Sequence, residues 1–130
     1  MDTSKKAQWI LRIAVAGEFI GHGVFALQIK QGWIPYFTAL GFSAETATTL
    51  LPLIGIFDIA LAVLILIKPV QIAVLWMAVW GFWTALVRPL AGEPIWDFVE
   101  RFANFGAPLA LLVLSGIPRT VKEWFGFKKT

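Results

Sequence analysis

Glu18 and His22 stand four positions apart within an otherwise largely apolar run, AVAGEFIGHGVF at 14–25. A helix through that run puts both side chains on one face. An imidazole beside a carboxylate can give or take a proton, the carboxylate tuning it, so the pair are candidate catalytic residues. At bilayer depth a carboxylate costs several kcal/mol unless it is neutral, paired or next to water, which makes this face a functional-site candidate by default. Further polar groups interrupt the other apolar segments: Asp58 in the second, Arg88 at the end of the third, and Glu100, Arg101 and Asn104 in the fourth. Trp76, Trp80 and Trp83, spaced i, i+4 and i+7, form an aromatic face beside Arg88.

These residues must be positioned by membrane helices. The chain has 130 residues, 58% hydrophobic and only 15% charged, too apolar for a soluble domain of this size. A bilayer core about 30 Å thick needs roughly 20 apolar residues per helix, and four segments reach that length, near 7–29, 45–67, 69–90 and 96–117. The expected fold is an all-α, integral membrane four-helix bundle forming one domain. Arg12 and Glu18 break the first run, so it reads as a retained span, not a cleaved signal peptide. The linker 30–42 is aromatic and interrupted by Gly32, Pro35 and Gly41, which suits an interfacial segment. Ser43 reads as the N-cap of the second helix, and the short turn at Lys68 and Pro69 predicts that the second and third helices are antiparallel neighbours. Gly17 and Gly21 form a small-xxx-small pair expected to let another helix approach. Pro52 and Pro108 read as kinks or helix-end features within spans.

Lys5, Lys6, Lys68, Arg119, Lys122, Lys128 and Lys129 fall on one side and Lys30 and Arg88 flank the other, so both termini are expected to be cytoplasmic, with 118–130 a basic, aromatic tail at the surface. The expected location is the cell membrane, multi-pass, of the bacterial or archaeal inner-membrane kind. The basic excess points to topology and anionic lipid and not to nucleic acid. The absence of cysteine excludes disulfides, Cys-ligated metal and thiol catalysis by this chain.

With that topology Glu18, His22, Asp58, Arg88, Glu100, Arg101 and Asn104 converge on the outer half of the bundle. One account is structural: Glu18, Asp58 and Glu100 neutralised by Arg88, Arg101 and Arg12. Buried ion pairs are a weak route to stability, so a ligand, proton or substrate site is the preferred account. Glu18, His22, Asp58 and Glu100 could present oxygen and nitrogen donors to a metal, but the arginines would repel a cation and no metal is expected. A guanidinium suits an anion or a polarised carbonyl. With Trp80 and Trp83 as a wall, Arg88 and Arg101 as donors, and Asp58, Glu100 and Asn104 orienting them, the set could accept a quinone-like ring.

The chain resembles the DoxX-like family of small four-helix membrane proteins. The similar stretches are Arg12 followed by AGEFIGHG at 16–23, GIFDIALAVLILIKP at 55–69, where the family often has Glu in place of Asp58, and RPLAGEPIWDFVERFANFGAPLALL at 88–112. The resemblance implies a membrane bundle, and for some members a subunit role in quinone-linked oxidoreductases acting on sulfur compounds. The expected function is therefore small-molecule binding, with quinone as the candidate cofactor, in a membrane oxidoreductase or one of its subunits. The alternatives are a non-enzymatic carrier of protons or small solutes, and a structural or assembly partner. The expected partners are membrane lipids, a small-molecule ligand, and either further copies of the chain or an oxidoreductase subunit.

Overall fold

The computed structural model describes residues 1–127 and is helical throughout, with no strand among the described residues. Helix α1 spans Thr3–Leu27, and its first turn is capped by Asp2, whose side chain accepts from the Lys5 amide at 2.8 Å. A 3₁₀ turn at Gln31–Trp33 leads into the short α2, Ile34–Ala39. Ser43 caps α3, Ala44–Ile67, accepting from the Thr46 amide at 3.0 Å. α4 runs over Gln71–Leu90, α5 over Ile95–Val99, α6 over Phe102–Leu114 and α7 over Val121–Trp124. Lys128 and Lys129, part of the expected tail, lie outside the described residues.

Three helices, α1, α3 and α4, are long and apolar enough to cross a membrane. At about 1.5 Å per residue each reaches roughly 30 Å or more. Their outward faces carry Ile10, Ile13, Ile20, Leu53, Ile56, Val63 and Val79 exposed, the surface a lipid environment stabilises. The expected fourth span, 96–117, is not one helix. It breaks at Glu100 and Arg101, where α5 ends and α6 begins, and α6 alone is only about 20 Å long at the helical rise.

The turn between α3 and α4 does not make them close neighbours. α3 packs along α1, α4 packs along α6, and α1 against α6 joins the two pairs, while α3 and α4 touch only sparingly. Each close pair is set by a glycine. A Cβ at Gly23 would come within 2.6 Å of Ile59 Cγ1 and 2.9 Å of the Gly55 carbonyl, and one at Gly55 within 2.6 Å of the Gly23 carbonyl. In the other pair a Cβ at Gly81 would meet the Asn104 carbonyl at 2.5 Å. Gly17 and Gly21 are not the crossing point: nothing lies within 4 Å of a Cβ at either. Backbone proximity of this kind substitutes for the hydrophobic drive that lipid removes.

The core fills the half of the molecule near the termini. Val15 and Phe19 of α1, Leu61 and Ile65 of α3, Val74 and Met77 of α4 and Leu111 of α6 form one buried cluster. Trp124 of α7 packs against it from the tail. In the other half a gap is left between α3 and α4.

Candidate functional site

That gap is a half-enclosed cavity of ≈ 100 Å³ between α3 and α4, roofed by α2 and flanked by α1. α3 contributes Leu51, Ile54 and Asp58 to its wall, α4 contributes Trp80, Trp83, Thr84, Val87 and Arg88, and α1 contributes His22. The helical repeat explains the grouping: Leu51, Ile54 and Asp58 are three and four apart, as are Trp80, Trp83, Thr84, Val87 and Arg88, so each set shares a face.

Two ionisable residues are buried against this cavity. Asp58 is 3% exposed and Arg88 6%. Asp58 has no hydrogen-bond or ion-pair partner among the described residues. Arg88 donates through Nη1 to the carbonyl of Thr84, one turn back on its own helix, and lies 5.1 Å from the centre of the Tyr36 ring. The rest of its forked donor set has no partner among the described residues. Burying polar groups without partners is costly, so the pair stands ready for a molecule that supplies an acceptor to one and a donor to the other. His22 is half-buried and packs edge-on against Trp33 at 5.7 Å between ring centres.

The roof was not legible as part of a site. Trp33, Tyr36, Phe37 and Leu40 all line the cavity, although the linker reads from sequence only as an interfacial segment. Its aromatic density was the available signal. Tyr36 fastens the roof by donating its hydroxyl to Glu93 Oε1 at 2.8 Å. Burial first, and then that hydrogen bond, push its hydroxyl above the ordinary tyrosine value of 10.0. The segment is bounded by two left-handed residues, Ile29 at φ 51° and Gly41 at φ 94°. A β-branched residue in that region is strained.

The expected site residues divide. His22, Asp58, Trp80, Trp83 and Arg88 line one cavity, whereas Glu18, Glu100, Arg101 and Asn104 do not. Glu18 is half-buried on α1, one turn from His22, with no hydrogen-bond partner among the described residues. Glu100 is turned outward and paired with Arg101 at 2.6 Å, and Arg101 also donates to the Asp97 carbonyl at 2.7 Å. Asn104 is used through its backbone at the α4–α6 crossing. Trp76 points outward, stacked on Trp80 at 5.9 Å.

The ion-pair network of the alternative, purely structural account does not form among the described residues. Arg101 with Glu100 is the one salt bridge among the described residues. Arg12, a proposed counter-ion, instead donates from Nε to the Ile65 carbonyl at 2.7 Å and from Nη2 to the Leu66 carbonyl at 2.8 Å, with its guanidinium 3.8 Å from the Trp9 ring centre. Those carbonyls belong to the last turn of α3, where helix geometry leaves acceptors unsatisfied. Among the described residues no three His, Cys, Asp or Glu side chains are grouped to hold a metal ion. Compared with known proteins, the chain matches no family model, no curated protein and no solved structure.

Proposed function

We propose that this is a membrane protein that binds the polar head of a small planar molecule, of the quinone class, in the cavity between α3 and α4. The observation that carries the proposal is the pairing of buried, uncompensated Asp58 and Arg88 on the wall of one aromatic-lined cavity. A quinone carbonyl would accept from Arg88, and the hydroxyl of the reduced ring would donate to Asp58. Trp80, Trp83 and Trp33 offer faces for the ring, and His22 at the rim would exchange protons with it. An apolar cavity of about 150 Å³ holds benzene, so this smaller, half-enclosed one would seat a single ring with its substituents leaving by the open side. Electrons would come from a partner subunit, in line with the DoxX-like resemblance. In this reading α5 and α6 complete a four-helix bundle in a cell membrane, with both termini cytoplasmic.

The test is native mass spectrometry of the detergent-purified protein with a short-chain quinone, alongside tryptophan quenching. Losing a hydrogen bond to a charged group costs about 1.5–3 kcal/mol, so Asp58→Asn and Arg88→Gln should each weaken binding by ten-fold or more. His22→Ala should weaken it less, and Glu100→Gln, outside the cavity, should leave it unchanged. Absence of the adduct in wild type, or equal loss in Glu100→Gln, would overturn the proposal. A second reading, a proton path without redox chemistry, is favoured by Glu18, half-buried beside His22 with no described partner. A proteoliposome pH-gradient assay separates the two, since the path would run without a redox donor.

A further inference from the structure

At the opposite end of the molecule, where the start of α1, the α3–α4 turn and the segment around α7 meet, lies a second recess of ≈ 590 Å³. Its chemistry is unlike that of the first. Lys68, Arg119, Gln8 and Gln71 line it with donors, and Glu123 is its one acidic residue. Lys68 donates from Nζ to the Gly126 carbonyl at 2.6 Å, which holds the C-terminal segment over the turn and leaves two ammonium donors to spare. Glu123 is already engaged, accepting from the Arg119 amide at 2.7 Å. The Arg119 guanidinium has no partner among the described residues.

Two further features add donors to the same place. Ser115 also lines the recess, and its Oγ is buried without a hydrogen-bond partner among the described residues. Gln71 opens α4, a helix whose first turn has no side-chain cap, so its free N–H groups add positive potential at that end. The segments that meet here carry a basic excess, Lys5, Lys6, Lys68, Arg119 and Lys122 against Asp2 and Glu123.

We infer that this recess binds a phosphate group, that of an anionic phospholipid headgroup at the membrane surface. A cluster of fixed donors and mobile cations at the ends of membrane helices matches a phosphodiester held at the interface, with its acyl chains lying along the exposed apolar faces of the helices. The inference does not depend on what occupies the cavity at the other end.

The test uses the delipidated, detergent-purified full chain and native mass spectrometry. Phosphatidylglycerol and phosphatidylcholine with identical acyl chains are titrated separately. One basic residue near a membrane surface is worth about five-fold in affinity. Phosphatidylglycerol should therefore bind wild type more tightly than phosphatidylcholine, and Arg119→Gln should cut its affinity about five-fold. Lys68→Gln with Arg119→Gln should cut it on the order of 25-fold. Lys5→Gln with Lys122→Gln removes the same charge outside the recess and should cost less than two-fold. Equal binding of the two lipids, or an equal loss in the two double variants, would overturn the inference. Inorganic phosphate is the final arm: if it alone abolishes the phosphatidylglycerol adduct at millimolar concentration, the recess reads a free anion equally well and the lipid assignment fails. The Arg119 guanidinium makes no hydrogen bond among the described residues, and the amide bond to Glu123 survives the substitution, so Arg119→Gln should keep the fold.

Discussion

Replacing Arg12 by Met keeps much of the aliphatic stem but removes both bonds to the end of α3, those to the Ile65 carbonyl at 2.7 Å and the Leu66 carbonyl at 2.8 Å. Hydrogen bonds to a charged group contribute roughly 1.5–3 kcal/mol each, and unmaking them leaves acceptors unsatisfied, so the loss should be about 3–6 kcal/mol. The site is 8% exposed, and water does not readily take the place of the guanidinium there. Stacking on Trp9 adds about 1 kcal/mol. Arg12→Lys presents a single ammonium where a fork spans two carbonyls, and should recover about half. Reversible unfolding in mixed micelles measures both variants. A double-mutant cycle then tests the cause. If Arg12 acts as a cap on α3, Asp58→Asn and Glu18→Gln leave the cost of Arg12→Met unchanged within about 0.5 kcal/mol. A cost below about 1 kcal/mol, or rescue by either neutralisation, would refute the reasoning and restore the ion-pair account.

Two other outcomes follow from the geometry. Tyr36 is the one tyrosine in the chain, so the ultraviolet absorbance of tyrosinate reports it alone. Its value is raised in the fold, which means the unfolded chain loses the proton first. Stability from this group is therefore complete below about pH 10 and is lost as pH climbs through the folded value. The absorbance should rise only above pH 10, and Glu93→Gln should bring it down; a midpoint at or below 10 contradicts the roof contact. For the glycines, Gly55→Ala should destabilise by about 1–3 kcal/mol because the facing Gly23 carbonyl cannot yield cheaply, whereas Gly17→Ala and Gly21→Ala should be neutral or stabilising by up to about 1 kcal/mol. Unfolding measurements that rank the three alike would place the α1–α3 crossing elsewhere.

Much of the site was readable because periodicity is local. Leu51, Ile54 and Asp58, or Trp80, Trp83 and Arg88, share a face in any helix, whatever surrounds it. The same logic found the N-cap at Ser43 and the apolar lengths of α1, α3 and α4. It did not distinguish Gly17 and Gly21 from Gly23, since all three sit in the same run and only the approach of Gly55 singles out the last. Nor could the charge tally of Glu18, Asp58 and Glu100 against Arg12, Arg88 and Arg101 reveal pairing. A guanidinium also serves backbone carbonyls, and Arg12 does so at the end of α3.

By itself, then, the sequence predicted a cysteine-free helical protein with four segments long enough to cross a membrane, of which three are such helices in the fold, and polar residues at chosen faces within them. Those properties depend on composition and on contacts within a few residues of each other. Tertiary structure alone decided which polar faces meet. Gly23 with Gly55 and Gly81 with Asn104 bring α1 to α3 and α4 to α6, while α3 and α4 touch only sparingly, and Asp58 and Arg88 line a cavity between them that the linker covers with Tyr36. Helix partners are chosen by the fit of whole surfaces brought together from distant parts of the chain, and no local pattern encodes that fit.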